Sequence, residues 1–348
     1  MSLTIHRHLK LDLDGASLVD NWHALNGMSG EASCGAAIKA DGYGLGAREV
    51  AVRLYAAGCR DFFVATWEEA IEIAPSVGEA SVTVLNGVLE DDMAVAVESR
   101  AKPMLNSVVQ VARWKATGLP CDLMVDTGMN RLGVSPCELG EIAGFGLDVD
   151  LLASHLASAD EDSSQNDDQL AVYRIALGTL PHQRKSLANS AGIALGSDYH
   201  FDLTRPGLSL YGGIPRNQFE GKIAPVATIR AQILQTRELS AGDKVGYNAT
   251  FIAEGPMVVG TISIGYADGY LRGFSGRGFF YANDEALPVL GRVSMDLVAL
   301  DLSNIPDIGE GEWVELPLDL PLLAKQSGLS QYEVLTSLDR RFERIWSD

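Results

Sequence analysis

Residues 36–46, Ala36-Ala37-Ile38-Lys39-Ala40-Asp41-Gly42-Tyr43-Gly44-Leu45-Gly46, decide how the chain reads. The short apolar run from Gly35 to Ile38 has the small and branched side chains of a strand buried on both faces. A lysine and a glycine-dense turn follow, and then Ala47, Val50, Ala51 and Leu54 fall at helical spacing. A lysine on the lip of a buried strand can be a snorkelling surface charge. It can also be a partly desolvated amine with a lowered pKa, ready to form a Schiff base. The glycines at 42, 44 and 46 favour the second reading, because they let backbone N–H groups approach an anion closely. Tyr43 adds a hydroxyl donor to the same place. Gly42, Gly44 and Ala47 also spell G-x-G-x-x-A, the dinucleotide fingerprint, which wants an acidic residue at the end of the next strand. That strand ends on Thr66, with Asp61 at its opposite end, so the dinucleotide reading is weak.

Working outward, the same rhythm of apolar run, turn and amphipathic segment repeats. Candidate strands are 35–39, 61–65, 82–85, 103–105, 121–125, 149–155, 186–189 and 202–205, with helical patterns such as Trp67–Ala74, Met93–Arg100 and Leu170–Leu177 between them. Eight strand–helix alternations predict an α/β TIM barrel. Such barrels place their chemistry just beyond the C-terminal ends of the strands. Lys39, Asp126, Arg131, His155, Asn189, Ser190 and Arg205 all fall there, and Ser190 and Gly207 occupy the last two loops, where barrels commonly bind phosphate. Any one of them has an ordinary alternative; Ser190 could simply cap a helix over Ala191–Leu195. Their convergence on one rim favours a site.

After about residue 220 the rhythm changes to strand-like segments separated by glycines: Thr228–Leu239, Lys244–Ala253, Met257–Ile264, Leu287–Leu290, Leu297–Leu302 and Trp313–Leu316. This is a C-terminal all-β domain, closed by a helical segment over Gln331–Ser337. Ile5, Arg7, Leu9, Leu11 and Leu13 suggest a strand, and Leu18, Trp22 and Leu25 a helix. The expected division is a barrel over 11–222 and a β domain over 223–348, joined by the N-terminal strand 1–10.

Composition sets outer bounds. The 348 residues are 47% hydrophobic and 21% charged, ordinary for a globular protein, and the net charge of −19 argues against nucleic acid or anionic membrane as a partner. Cys34, Cys59, Cys121 and Cys137 form no C-x-x-C pair and have no histidine at metal-ligand spacing, so no metal site is expected. Reduced thiols, no signal-like N-terminus and no membrane span lead to an expected cytoplasmic location.

Seven ordered motifs then carry a resemblance: Ala37-Ile-Lys-Ala-Asp-Gly-Tyr-Gly, Val125-Asp-Thr-Gly-Met-Asn-Arg-Leu-Gly, Ser154-His-Leu-Ala-Ser-Ala-Asp-Glu, Thr204-Arg-Pro-Gly, Val245-Gly-Tyr-Asn, Ile264-Gly-Tyr-Ala-Asp-Gly-Tyr and Gly291-Arg-Val-Ser-Met-Asp. Over essentially its full length the chain closely resembles the bacterial alanine racemases, pyridoxal 5'-phosphate (PLP) enzymes of the barrel-plus-β-domain type. The resemblance implies a homodimer with shared sites, interconverting L- and D-alanine for cell-wall peptidoglycan or for alanine catabolism. It implies that Lys39 carries the cofactor as an aldimine and is one catalytic base, with Tyr247 of the partner subunit as the other. It implies Arg205 at the pyridine nitrogen and His155 near the ring, linking Arg205 to Tyr247. Tyr43, Ser190, Gly207, Leu208 and Tyr332 would hold the phosphate, and Arg131 and Met295 of the partner subunit the substrate. Tyr266, Arg272, Arg292 and Asp296 would line the substrate's way in.

The chain departs from the common pattern at three positions. Met124 stands where many members carry a lysine that orients the following arginine, so Arg131 must be held by packing, another residue or a bound anion. Leu45 and Leu297 replace a histidine and a glutamine. Two other readings compete. A related PLP decarboxylase would prefer a carboxylate where Arg205 stands, and a non-catalytic PLP carrier would lack the β domain with Tyr247.

Overall fold

Short runs of branched and aromatic residues become parallel strands here because both of their faces are covered. The computed structural model describes residues 6–305 and 307–348. In it seven such runs pair in sequence order: Ala36–Ala37, Asp61–Val64, Ser81–Val84, Lys102–Leu105, Cys121–Met124, Val149–Ala153 and Arg184–Ser186. Asp61–Val64 and Cys121–Met124 are buried at every residue. An eighth strand, Leu203–Thr204, pairs with Ser33–Cys34. Backbone hydrogen bonds close the ring on both sides of it: Arg205 N to Ala188 O at 2.9 Å, Gly35 N to Thr204 O at 2.9 Å and Ala37 N to Pro206 O at 2.8 Å. The TIM-barrel expectation holds. Helices such as Ala47–Ala57, Trp67–Ile73, Val108–Trp114 and Gln165–Leu177 alternate with the strands.

Charged residues at the strand starts brace the barrel's N-terminal end. Arg184 forks onto Asp61 (2.8 and 3.1 Å) and onto Asp150 (3.0 and 3.1 Å). Lys102 bonds Asp122 at 3.0 Å and also reaches Asp150, while Thr83 donates to Asp122 at 2.6 Å. Each of these charges at the strand starts therefore has a partner, as the low dielectric requires.

Contacts divide the chain into two units, residues 18–224 and residues 225–348 with the N-terminal segment up to 17. In the second unit eight strands form one largely antiparallel sheet. Its spine is Ala227–Leu239, whose first half pairs with Leu9–Asp14 and Trp313–Pro317 and whose second half pairs with Met257–Ile262 after a register shift between Ile233 and Gln235. Leu9–Asp14 in turn pairs in parallel with Glu343–Ser347, a strand the sequence reading did not include. Ile5 lies outside the described residues. Lys244–Ala253 is not one strand. It splits into Lys244–Val245 and Phe251–Ile252 around a turn, because Gly246, Asn248 and Ala249 all adopt positive φ (72°, 61° and 51°). A helix over Leu320–Ser327 precedes Gln331–Thr336. No helix among the described residues is long and apolar enough to cross a membrane.

Candidate active site

Lys39 stands just beyond the strand Ala36–Ala37 and opens an unusual turn. Ala40, Asp41, Gly42 and Tyr43 are all left-handed, with φ of 53°, 54°, 61° and 55°. Three of these are not glycine, and each such residue costs about 1–2 kcal/mol. Backbone strain of this kind concentrates where structure serves a site. The turn is tied down from two sides. Glu69 accepts the Ala40 N–H at 2.7 Å, and Asp41 accepts the Ala47 N–H at 2.8 Å. Glu69 is also part of a capping box with Thr66, a signal legible as Thr-x-x-Glu but not read for this purpose.

The Lys39 amine is half-buried. Its pKa is lowered by burial and then by the Arg131 guanidinium, against a weaker opposing pull from Glu69. A larger share of the amine is therefore neutral and nucleophilic than in water.

Arg131 is exposed, at the tip of a loop whose base is fixed by backbone bonds. Val134 N donates to Met124 O at 2.8 Å and Asp126 N to Val134 O at 2.9 Å. Asp126 Oδ1 gathers the N–H groups of Gly128, Met129 and Asn130 at 2.9, 2.9 and 3.1 Å. A Cβ at Gly133 would lie 2.5 Å from Asp126 N, so this closure needs glycine. The loop thus holds its own shape, with Met124 packed beneath it at 8% exposure.

His155 follows the strand Val149–Ala153, and its carbonyl accepts from buried Gln169 at 3.0 Å. The imidazole pKa is pushed down to about 3 by burial and by the cations Arg205, Arg131 and Lys39. Burial and three neighbouring positive charges together keep the ring neutral.

Arg205 is buried at 6% exposure. It donates to Ser154 O at 2.6 Å and to Ser186 Oγ, and its guanidinium faces the Phe63 ring at 5.9 Å. Burial lowers its pKa to about 10, so it stays a cation at neutral pH. Ser186 and Ser154 were not among the expected site residues. A serine inside a strand gives no sequence signal of what its hydroxyl will hold.

The remaining barrel candidates form a cradle. Asn189, not Ser190, caps the helix Ser190–Ile193, accepting from Gly192 N at 2.9 Å. That frees Ser190 Oγ to accept the N–H groups of Gly207 (3.0 Å) and Ser209 (3.2 Å). A Cβ on Gly207 would lie 2.3 Å from the Tyr43 hydroxyl oxygen, so hydroxyl and bare backbone meet directly. Leu208 is buried beside them. Two hydroxyls converging on the bare backbone of a glycine suit a phosphate. The amine, the cradle and the buried cation are the three contacts that PLP offers groups for.

The other candidates lie in the second unit. Tyr247 opens the turn Tyr247–Ala249 and is 66% exposed. That turn rests against residues 291–292, since a Cβ on Gly291 would lie 3.1 Å from Val245 O and one on Gly246 3.8 Å from Arg292 N. Arg272 stacks over the Tyr266 ring at 5.1 Å. The segments carrying Tyr266 and Met295 are laced together by Tyr266 N to Ser294 O and Ala267 N to Met295 O, both 3.0 Å. Asp296 is exposed and paired with Arg341 at 2.8 Å. Tyr332 sits on the helix Gln331–Thr336 at 44% exposure.

The family model described as alanine racemase, N-terminal domain, matches residues 13–215, and that for the C-terminal domain matches residues 226–346. A relative from Cereibacter sphaeroides named alanine racemase is 42% identical, covering 97% of both chains. One from Agrobacterium fabrum named alanine racemase, catabolic, is 40% identical over 97% of this chain and 92% of its own. The crystal structure of alanine racemase from Bartonella henselae, with covalently bound pyridoxal phosphate, superimposes with a TM-score of 0.92 at 35% identity, covering 98% of this chain and all (100%) of that one. The chain belongs to the alanine racemase family.

Proposed function

We propose that the protein interconverts L-alanine and D-alanine, with PLP bound through Lys39, in a homodimer whose sites each borrow Tyr247 of the partner subunit. The observation that carries this is Lys39 itself, a partly desolvated amine on the barrel rim in the same unit as the Tyr43–Ser190–Gly207 cradle. Tyr43, Ser190, Gly207 and Leu208, with Tyr332, would hold the phosphate, and Arg205 would stand toward the ring nitrogen. The bound cofactor supplies the electron sink that makes the alanine Cα proton removable.

Racemisation takes that proton from one face and returns it on the other, so a base must stand on each side. Lys39 Nζ serves one face, and its lowered pKa suits it to exchange a proton near neutrality. The phenolic oxygen of Tyr247 of the partner subunit serves the other. Arg205 remains a cation and gives up no proton, so it would leave the ring nitrogen unprotonated and the sink moderate. That would favour return of the proton to Cα over transamination. His155, held neutral by burial and by its cationic neighbours, links Arg205 to the tyrosine side of the site. Arg131 and the partner's Met295 orient the substrate carboxylate, while Tyr266, Arg272, Arg292 and Asp296 line the way in.

The test is to incubate the PLP-loaded protein with L-alanine and follow D-alanine by chiral chromatography. Formation of D-alanine up to the racemic mixture, lost in Lys39→Ala, is the expected outcome. No D-alanine from fully loaded protein would overturn the reading.

A further inference from the structure

The second unit contains a bridged ion pair that ties Asp296 to two residues not assigned so far, Arg341 and Asp268. Asp268 is fully buried, at 0% exposure, in a loop that turns back on itself. Its Oδ2 accepts the Gly265 N–H at 2.9 Å, and its Oδ1 lies 3.0 Å from Arg341 Nε. The same guanidinium donates to Asp296 Oδ1 at 2.8 Å through Nη1. Arg341 therefore joins a buried carboxylate in one loop to an exposed carboxylate in another.

The loops it joins are those of Tyr266 and Met295. Ala267 N donates to Met295 O at 3.0 Å, and a Cβ on Gly265 would lie 2.3 Å from that carbonyl oxygen, so the two backbones are in contact. The C-terminal segment holds the turn from the other side as well. Arg341 N donates to Asp339 at 3.2 Å, and Ser337 Oγ donates to Gly269 O at 3.2 Å, so the C-terminal segment clamps the 265–269 turn. The consequence falls on Met295. Its carbonyl is fixed by Ala267 and the next side chain by Arg341, while its own N–H has no partner among the described residues and the residue is 53% exposed. A backbone donor held on both sides and left open is preorganised for an acceptor oxygen.

We propose that Arg341 is a positioning residue that, through Asp268 and Asp296, fixes the Met295 amide as a donor to the substrate carboxylate. This rests on the racemase reading above, in which the partner's Met295 meets the substrate. Arg341 touches no substrate itself; it acts through the loop.

The experiment uses the PLP-loaded dimer carrying Arg341→Lys, Arg341→Met or Asp296→Asn. Lysine keeps a cation beside Asp268 but cannot fork to both carboxylates. Asp296→Asn weakens only the exposed arm and leaves the Asp268 pair intact, so it decides the matter if Arg341→Met fails to fold. Amide hydrogen exchange across residues 293–297 should quicken about tenfold in Arg341→Lys, the effect of one lost charge-assisted hydrogen bond. The alanine KM should rise by roughly the same factor while kcat changes far less, as loss of ground-state binding requires. Wild-type exchange in a folded Arg341→Lys or Asp296→Asn protein, whatever KM does, overturns the inference, and so does faster exchange with an unchanged KM. A loaded wild-type protein that makes no D-alanine overturns the racemase reading instead, and this inference with it.

Discussion

The Tyr43 hydroxyl oxygen occupies space that a side chain on Gly207 would need: a Cβ there would lie 2.3 Å away. Tyr43 has little freedom to withdraw. Its ring stacks on Tyr211 at 4.8 Å, and the Tyr211 hydroxyl is anchored to Ala37 O at 3.0 Å.

Gly207→Ala should therefore displace Tyr43 from the cradle. Overpacking of this kind costs about 1–3 kcal/mol. PLP affinity, titrated by absorbance against apoprotein, should fall by about tenfold or more, since a loss near 1.4 kcal/mol is one decade. Wild-type affinity in the variant would mean that the hollow does not hold the phosphate.

Lys39 offers a test with opposite signs. Burial and Arg131 lower its pKa, and Glu69 raises it. Arg131→Met removes a lowering influence, so less of the amine is neutral at a given pH and the pH profile for PLP attachment should move to higher pH. Glu69→Gln removes the raising influence and should move the profile to lower pH. Stopped-flow absorbance on apoprotein reads both. Shifts in the same direction would contradict the electrostatic account of the site.

Arg184→Met tests the barrel's N-terminal brace. The change strands Asp61, whose side chain is 9% exposed, and half of the support of Asp150. Breaking a buried pair on one side costs about 3 kcal/mol or more, read as a lower urea midpoint at neutral pH. Acid behaviour should change as well. Burial alone would raise the Asp150 pKa, but bonds from Arg184 and Lys102 outweigh it and hold the carboxyl low. A depressed carboxyl stabilises above its unfolded pKa and loses that contribution as pH falls through the folded value. Without Arg184 the folded pKa rises, so acid unfolding should begin at a higher pH. An unchanged urea midpoint would show that the brace is dispensable.

Much of the site was legible because a barrel converts strand order into a rim. Lys39, Arg131, His155 and Arg205 each follow a buried apolar run, and the structure couples them electrostatically. Local pattern failed where long-range pairing or single residues decided. Val245, Tyr247, Phe251 and Ile252 look like strand residues, but positive φ at Gly246 and Asn248 breaks the run into a turn. Glu343–Ser347 is an edge strand with Ile345 40% exposed, so burial leaves little alternation to read. The grip of Ser186 on Arg205, and of Arg341 on Asp268 and Asp296, joins residues far apart in the chain or buried in strands, and no spacing announces it.

The claim that each site draws Lys39 from one subunit and Tyr247 from the other is tested most directly by mixing two inactive proteins. Lys39→Ala and Tyr247→Phe dimers are combined in equal amounts, allowed to exchange subunits, and assayed for D-alanine formation. In a mixed dimer one site receives both substitutions and the other receives neither. With random exchange half of the dimers are mixed, so activity should recover to about a quarter of wild type under two-fold symmetry. If each Tyr247 served its own chain, every site would carry one substitution. Exchange demonstrated by mass spectrometry without recovered activity would contradict the shared site.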